Sequence, residues 1–205
     1  MVFVFMAYNI LLITSFVGLF SAQFIRDKYW KTIALVLIAP LNRICLLFGI
    51  VLSRLILIAI PWIFFFILCY IYYPISLLTV LFVILVYILL IVIFSSIGLL
   101  IGVFAISNEN IMGILRFLLG WLFWFSCLTY PFQIFPAFIQ VIINLNPFYH
   151  MFNFLRLTWI QNNILLSITS YFMVFLFLVI SAILLPIISV FIFNKVFKKY
   201  GIVGY

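Results

Sequence analysis

Long apolar runs, separated by short breaks that hold almost every charged residue, dominate this chain. Of its 205 residues, 71% are hydrophobic and only 6% are charged, whereas a soluble domain keeps roughly a quarter of its positions charged. An unpaired charge at the centre of a bilayer costs about 2.5 kcal/mol or more. The sequence therefore predicts an all-α, polytopic transmembrane helical bundle that forms one domain over residues 1–205.

Five runs are long enough to cross a bilayer, because a span needs about 20 apolar residues. They cover residues 2–25, 44–73, 77–104, 111–130 and 164–193. Gly98 and Gly102 have the small-xxx-small spacing that lets two membrane helices pack closely. Pro61 is expected to kink the second run. Arg54 lies about two to three turns into that run, within snorkelling reach of the nearer surface.

The basic residues predict how the chain crosses the membrane. The formal net charge is +8, and nine of the ten Lys and Arg fall on one side when alternate connections are assigned to opposite sides. The positive-inside rule makes that side cytoplasmic. Segment 26–43, connection 105–116 and the C-terminus then face the cytoplasm, the N-terminus lies outside, and only Arg156 is on the outer side. We therefore expect a multi-pass plasma-membrane protein in contact with lipid, and topology explains the basicity without a nucleic acid partner.

Polar groups that could perform chemistry are few and scattered. The single histidine is His150, the two acids are Asp27 and Glu109, and the three cysteines lie singly in apolar runs. The sequence has no metal-ligand spacing, no catalytic motif and no GxxxxGK[ST] phosphate loop. No apolar run contains Asp or Glu, which argues against cation-coupled transport. We expect no catalytic residue, no metal and no cofactor bound by this chain, so any ATP hydrolysis needs another subunit.

The segment 26–43, called here the basic segment, is predicted to contain an amphipathic helix that ends at Pro40. One face of the helical wheel is polar and the other is apolar: Lys28, Lys31 and Thr32 against Trp30, Ile33, Ala34 and Leu37. One interpretation is a connector whose apolar face lies in the lipid surface. The other is a helix that binds a groove in a cytoplasmic partner.

Residues 131–163, called here the outer region, are too interrupted to form another span. Pro131, Pro136 and Pro147 divide them into short pieces. The piece 137–145 would be a helix of about 13 Å, against a hydrocarbon core of about 30 Å. It must lie on the surface as a cap or enter the membrane and return. Backbone that breaks at membrane depth must be buried in protein or line a watery cavity.

Three stretches, taken in order, are similar to one known family. The first is Arg26-Asp27-Lys28-Tyr29-Trp30-Lys31-Thr32 with Ile38-Ala39-Pro40-Leu41-Asn42-Arg43 and Gly49. The second is Gly98 to Gly102 with Ser107-Asn108-Glu109-Asn110. The third is Tyr130-Pro131 to Pro136 with Asn146-Pro147-Phe148-Tyr149 and Leu155-Arg156. From about residue 9 to 197, the chain resembles the membrane (permease) subunits of type-2 ABC exporters, which move drugs, lipids or polysaccharides outward.

This resemblance implies partners and site residues. Two permease copies, identical or different, would pair with two ABC ATPase subunits, which bind the ATP and Mg. The residues implied to contact the ATPase are Arg26, Asp27, Lys28, Tyr29, Trp30, Lys31, Ile33, Ser107, Asn108 and Glu109. The residues implied to form an outer re-entrant gate are Pro131, Pro136, Asn144, Asn146, Pro147 and Arg156. The implied mechanism is alternating access, in which closure of the ATPases moves the docked helices and opens a pathway outward.

Two other functions remain open at the level of sequence. Members of the family usually have six spans, with an amphipathic cytoplasmic helix and one more span ahead of the segment that begins here; this sequence departs from that pattern by lacking both, and we expect a shortened or internally started form. Their absence favours a non-transporting membrane protein, such as an immunity or assembly factor. An intramembrane enzyme that acts on lipid would need His150, Glu109 and Asp27 to support a turnover.

Overall fold

The computed structural model describes residues 2–30, 43–107 and 109–203, which are almost entirely helical. The elements in chain order are α1 (Val2–Thr14), a 3-10 turn (Ser15–Gly18), α2 (Leu19–Tyr29), α3 (Arg43–Tyr72), α4 (Leu77–Ser107), α5 (Glu109–Trp124), a 3-10 turn (Phe132–Ile134), α6 (Ala137–Leu145), α7 (Pro147–Gln161), α8 (Ile164–Ser170) and α9 (Phe172–Val203). No strand occurs within these ranges. The predicted all-α bundle is therefore confirmed.

Four helices in the described ranges are long and apolar enough to cross a membrane, where the sequence predicted five. They cover Phe3–Asp27, Ile44–Tyr72, Leu77–Phe104 and Phe172–Val196. The prediction of a span over 111–130 is wrong, because α5 ends at Trp124 and its apolar part, Gly113–Trp124, is shorter than a span. The backbone turns away at Cys127, which has a left-handed φ of 54°.

The last apolar run, predicted over 164–193, is divided in two. Its first part is the short helix α8, whose N-terminus is capped by Asn163 through a 3.2 Å bond from the Leu166 N–H to Oδ1. Tyr171 then leaves the helical region at φ −127° and ψ 38°. The spanning helix α9 begins only at Phe172.

The helix α4 lies at the centre of the bundle and contacts α1, α2, α5, α7 and α9. Its side chains at Val83, Val86, Leu90, Ile93 and Phe94 are fully buried. The stretch has apolar residues on every face, which is typical of a helix surrounded by other helices. Neighbouring helices therefore bury part of the circumference of α4, and the remaining apolar side chains of this helix are partly or fully exposed.

The first span crosses α4 at the glycine pair. A Cβ added at Gly98 would lie 2.6 Å from the carbonyl oxygen of Phe16, and one at Gly102 would lie 2.8 Å from Cδ2 of Phe24. Only glycine leaves room for such close approach. The predicted helix contact at Gly98 and Gly102 is confirmed, and its partner is the first span. The second run, in contrast, continues unbroken through Pro61 within α3.

The turn between α3 and α4 is tied to the end of α7. Trp159 Nε1 donates to the Tyr73 carbonyl at 3.2 Å, and the Ser76 N–H donates to Asn162 Oδ1 at 2.8 Å. Asn162 ends α7 in the left-handed conformation, at φ 47°, which asparagine tolerates well. These bonds fix the end of the outer region to the rest of the bundle.

Candidate outer hairpin and basic end

The outer region enters the bundle and returns. At the start of α7, the rings of Phe148 and Phe152 pack on Phe94, near the middle of α4, at 5.5 and 5.9 Å between centroids. At the other end of α7, Trp159 reaches the turn that precedes α4. The helix therefore runs alongside the first half of α4. This geometry agrees with the re-entrant alternative and not with a cap lying on the surface.

Asn146 forms hydrogen bonds with backbone groups at two helix ends inside the bundle. Its Nδ2 donates to the carbonyl of Leu122, in the last turn of α5, at 2.6 Å. Its Oδ1 accepts from the Phe148 N–H at 3.0 Å and so caps α7, with Pro147 at the first helical position. A carbonyl freed by the end of a helix costs free energy when buried without a donor. One side chain thus satisfies the end of one helix and the start of another.

Arg156 likewise binds a backbone carbonyl, at the turn that follows α5. Its Nη2 donates to the Leu128 carbonyl at 2.7 Å, and its guanidinium lies over the Phe3 ring at 4.0 Å. Only 4% of the residue is exposed. An arginine side chain stays protonated in proteins, so this buried group is charged. A buried charge thus joins the hairpin to the first span through a cation–π contact.

The remaining predicted gate residues lie in the same hairpin. Pro131 precedes the 3-10 turn and Pro136 precedes α6. The carbonyl of Asn144 lies 2.7 Å from His150 Nε2. Gln140, which sequence reasoning missed, donates to the Phe135 carbonyl at 2.8 Å. Its signal was a second amide, besides Asn144, within the short apolar piece 137–145. All six predicted residues therefore share one structural unit, held by side-chain donors bound to backbone carbonyls.

The other candidate site lies at the end of the first span. Asp27 and Tyr29 belong to the last turn of α2, and Trp30 follows it. The helix α2 thus continues the first span to Tyr29, and the rest of the predicted amphipathic helix, up to Pro40, lies outside the described residues. Tyr29 is 85% exposed and Trp30 is 65% exposed. Arg26 lies under the Trp30 ring at 5.6 Å, and Gln23 bonds both Arg26 and Asp27.

Several predicted contact residues cannot be placed. Lys31, Ile33 and Asn108 lie outside the described residues, as do the side chains of Lys28, Ser107 and Glu109. The backbone of Ser107 ends α4, and that of Glu109 begins α5.

Basic residues from three helices meet at one end of the bundle, called here the basic end. Arg116 of α5 donates through Nη2 to Ser21 Oγ of α2 at 3.2 Å. Arg26 of α2 and Arg54 of α3 line one recess. Among the described residues, no group of three His, Cys, Asp or Glu side chains could hold a metal ion.

Comparison with known families identifies the family of the protein that contains the outer hairpin and the basic end. A family model described as "ABC-2 type transporter" matches residues 2–160. The chain belongs to the ABC-2 type transporter family. A comparison with curated proteins gave no match. The match covers α1 to α7, so both candidate sites lie within the family's own region.

Membership of the ABC-2 family assigns a general role to the chain. It is a multi-pass membrane permease component, a non-catalytic part of a transporter that works with an ABC ATPase subunit. The four spanning helices and the shorter α5 agree with this role. The resemblance noted in the sequence is thereby confirmed at the level of the family.

Proposed function

We propose that this ABC-2 permease is the membrane subunit of an ATP-driven exporter that moves a hydrophobic or amphipathic substrate, such as a drug, lipid or polysaccharide, out of the cell. The ATP and Mg belong to the partner ATPase, and a second permease copy completes the pathway. The basic segment 26–43 docks on the ATPase and the C-terminus is cytoplasmic. The observation that carries the proposal is the end of α2, where a rigid helix presents two exposed aromatic side chains beside Arg26.

The packing of α2 supports transmission of force from that end. The first span and α4 approach so closely that no Cβ fits at Gly98 or Gly102. Because tightly packed helices move as bodies and do not deform continuously, a displacement of Tyr29 and Trp30 would carry α4 with it. The rings of Phe94 then connect α4 to the hairpin at Phe148 and Phe152.

The outer hairpin supports the proposal of a gate, which would lie in the half of the bundle opposite Tyr29 and Trp30. Asn146 and Arg156 tie the hairpin to the carbonyls of Leu122 and Leu128, at the end of α5 and in the turn that follows it, so a movement of the hairpin would be coupled to α5. The surface of the hairpin also carries exposed apolar side chains, including Phe138 and Val141. A hydrophobic substrate could move along these side chains without binding tightly to them.

Trp30→Ala tests the docking step. In vesicles that contain the permease and its ATPase, we expect ATP-dependent transport to fall by about tenfold, since coupling free energies of this kind are about 1–3 kcal/mol. ATP hydrolysis should stay within about twofold of wild type, because the change leaves the ATPase itself intact. Paired Lys28→Glu and Lys31→Glu changes should have the same effect.

Phe191→Ala is the matched control, because Phe191 is an aromatic residue of similar exposure, at 67%, on a different helix, α9. It should leave both rates unchanged. Trp30→Ala vesicles with normal transport per ATP would contradict the docking proposal. Failure of any ABC ATPase to co-purify with the chain would favour a non-transporting membrane protein.

A further inference from the structure

A polar recess opens between the first span and α3 near the basic end. It has a volume of about 410 Å³ and is lined by side chains that include Ser15, Gln23, Arg26, Ser53 and Arg54. Two arginines therefore line one small cavity on a helix pair that is mostly apolar. Charged residues at such depth are costly and are usually retained for a function.

Among the polar side chains that line the recess, Arg54 has a donor without a hydrogen-bond partner. The hydroxyls of Ser15 and Ser53 each donate to a carbonyl of their own helix, those of Leu12 and Ile50. Gln23 is engaged by Arg26 and Asp27. The Nε atom of Arg54 is buried and has no partner among the described residues. A buried donor without a partner costs about 1–3 kcal/mol, which a bound acceptor would offset.

The charge of the recess selects an anion. The whole chain has two acids, Asp27 and Glu109, and among the described side chains no carboxylate lines the recess. Planar guanidinium groups bind phosphate through paired N–H donors, and two of them can hold one phosphate from two sides. The recess therefore has the chemistry of a phosphate site.

The position of the recess favours a phosphate that belongs to a lipid. Counting from the first residue of α3, Arg54 lies about 16 Å along a helix of about 45 Å, at 1.5 Å per residue. If α3 is centred on a hydrocarbon core of about 30 Å, the backbone of Arg54 lies about 9 Å inside the core, and the long arginine side chain can reach from there toward the headgroups. Leu57 lines the recess and is 69% exposed, and Ile56 beside it is 66% exposed. Acyl chains can lie along this apolar surface while the headgroup enters the recess.

We propose that the recess between the first span and α3 binds the phosphate of an anionic lipid, held by Arg26 and Arg54. The site does not require that the lipid be the transported substrate. It goes beyond the export proposal, because a permease of any substrate could carry it.

The test is lipid binding by the purified full chain without ATP. Native mass spectrometry would count short-chain phosphatidic acid bound to the protein in neutral detergent, with phosphatidylcholine as the zwitterionic comparison. Wild-type protein should retain phosphatidic acid preferentially. Arg54→Gln should weaken that binding by about tenfold, as expected for the loss of a charge-assisted hydrogen bond to phosphate. Arg54→Lys should restore part of it.

Arg116→Gln is the matched control, because Arg116 is a basic residue at the same end that binds Ser21 and does not line the recess. Its phosphatidic acid binding should equal that of wild type. Equal binding by wild type and Arg54→Gln, with both proteins folded by thermal melting, would overturn the proposal. Displacement of the lipid by inorganic phosphate at similar concentration would also overturn it and identify a soluble phosphate as the ligand. Because no transport is measured, a negative result leaves the export proposal intact.

Discussion

Gly98→Val should unfold the permease more than any other single apolar substitution in its membrane helices. The added Cβ would lie 2.6 Å from the Phe16 carbonyl oxygen and 2.8 Å from that of Val17. Both atoms belong to backbone, so no side chain can rotate away, and the first span must separate from α4. Overpacking costs about 1–3 kcal/mol and occasionally more. Because backbone atoms are involved, we expect the upper value of about 3 kcal/mol, and hence a fall in the melting temperature in detergent of roughly 6–12 °C, at about 2–4 °C per kcal/mol for a chain of this size.

Gly49→Val provides the control for this result. Gly49 also lies within a spanning helix, but nothing lies within 4 Å of a Cβ built there. The same side chain should therefore change the melting temperature by at most a few degrees. Similar losses for the two variants would mean that general helix effects, and not the crossing at Phe16, explain the sensitivity of Gly98.

Arg156→Ala should open the outer hairpin. The change removes the donor of the Leu128 carbonyl and the cation over the Phe3 ring, and it leaves a cavity in a site that is 96% buried. Losses of this kind cost about 3–5 kcal/mol. The readout is Cys127, which is 2% exposed and precedes Leu128. In a Cys45→Ser background, we expect a membrane-impermeant maleimide to label Cys127 at least about tenfold faster in the variant.

The controls for Arg156→Ala separate local opening from loss of the fold. Cys69 is fully buried on α3 and should stay protected if only the hairpin opens. Arg116→Ala removes an arginine that does not contact the hairpin and should leave Cys127 protected. A variant at Arg156 whose Cys127 remains as unreactive as in wild type would show that the guanidinium does not hold the turn.

The elements that sequence reasoning predicted best are those marked by local signals. The short helix Ala137–Leu145 has the predicted bounds, because prolines flank it and fix where a helix can begin and end. The break between α3 and α4 was likewise predicted from Tyr73-Pro74-Ile75-Ser76. The Gly98 and Gly102 pair predicted a helix contact, although only the structure identifies the first span as the partner.

Features that depend on distant backbone could not be predicted. The end of α5 at Trp124 leaves no clear mark in the sequence, because Cys127 is apolar and is not a residue type that signals a left-handed turn. Asn146 and Arg156 were selected as gate residues by resemblance, but their partners are the carbonyls of Leu122 and Leu128. Every residue has a carbonyl, so no side-chain pattern distinguishes these two.

The recess at the basic end was missed for a related reason. Arg54 was interpreted as a side chain that reaches toward the membrane surface, since a single run does not reveal its neighbours. The contacts of α2 with α3 bring Arg26, near the end of the first span, to the same recess as Arg54. Pairing of side chains from separate spans depends on helix rotation, which tertiary packing sets.

The central claim is that the end of the first span receives force from an ABC ATPase, and photo-cross-linking tests it most directly. Benzoylphenylalanine would replace Tyr29, which is 85% exposed, or in a separate protein Leu145, which is 80% exposed in the outer region. After irradiation of native membranes, the account predicts a covalent adduct with the ATPase from position 29 and none from position 145. An ATPase adduct from position 145, or none from position 29 in membranes that contain the ATPase, would contradict it.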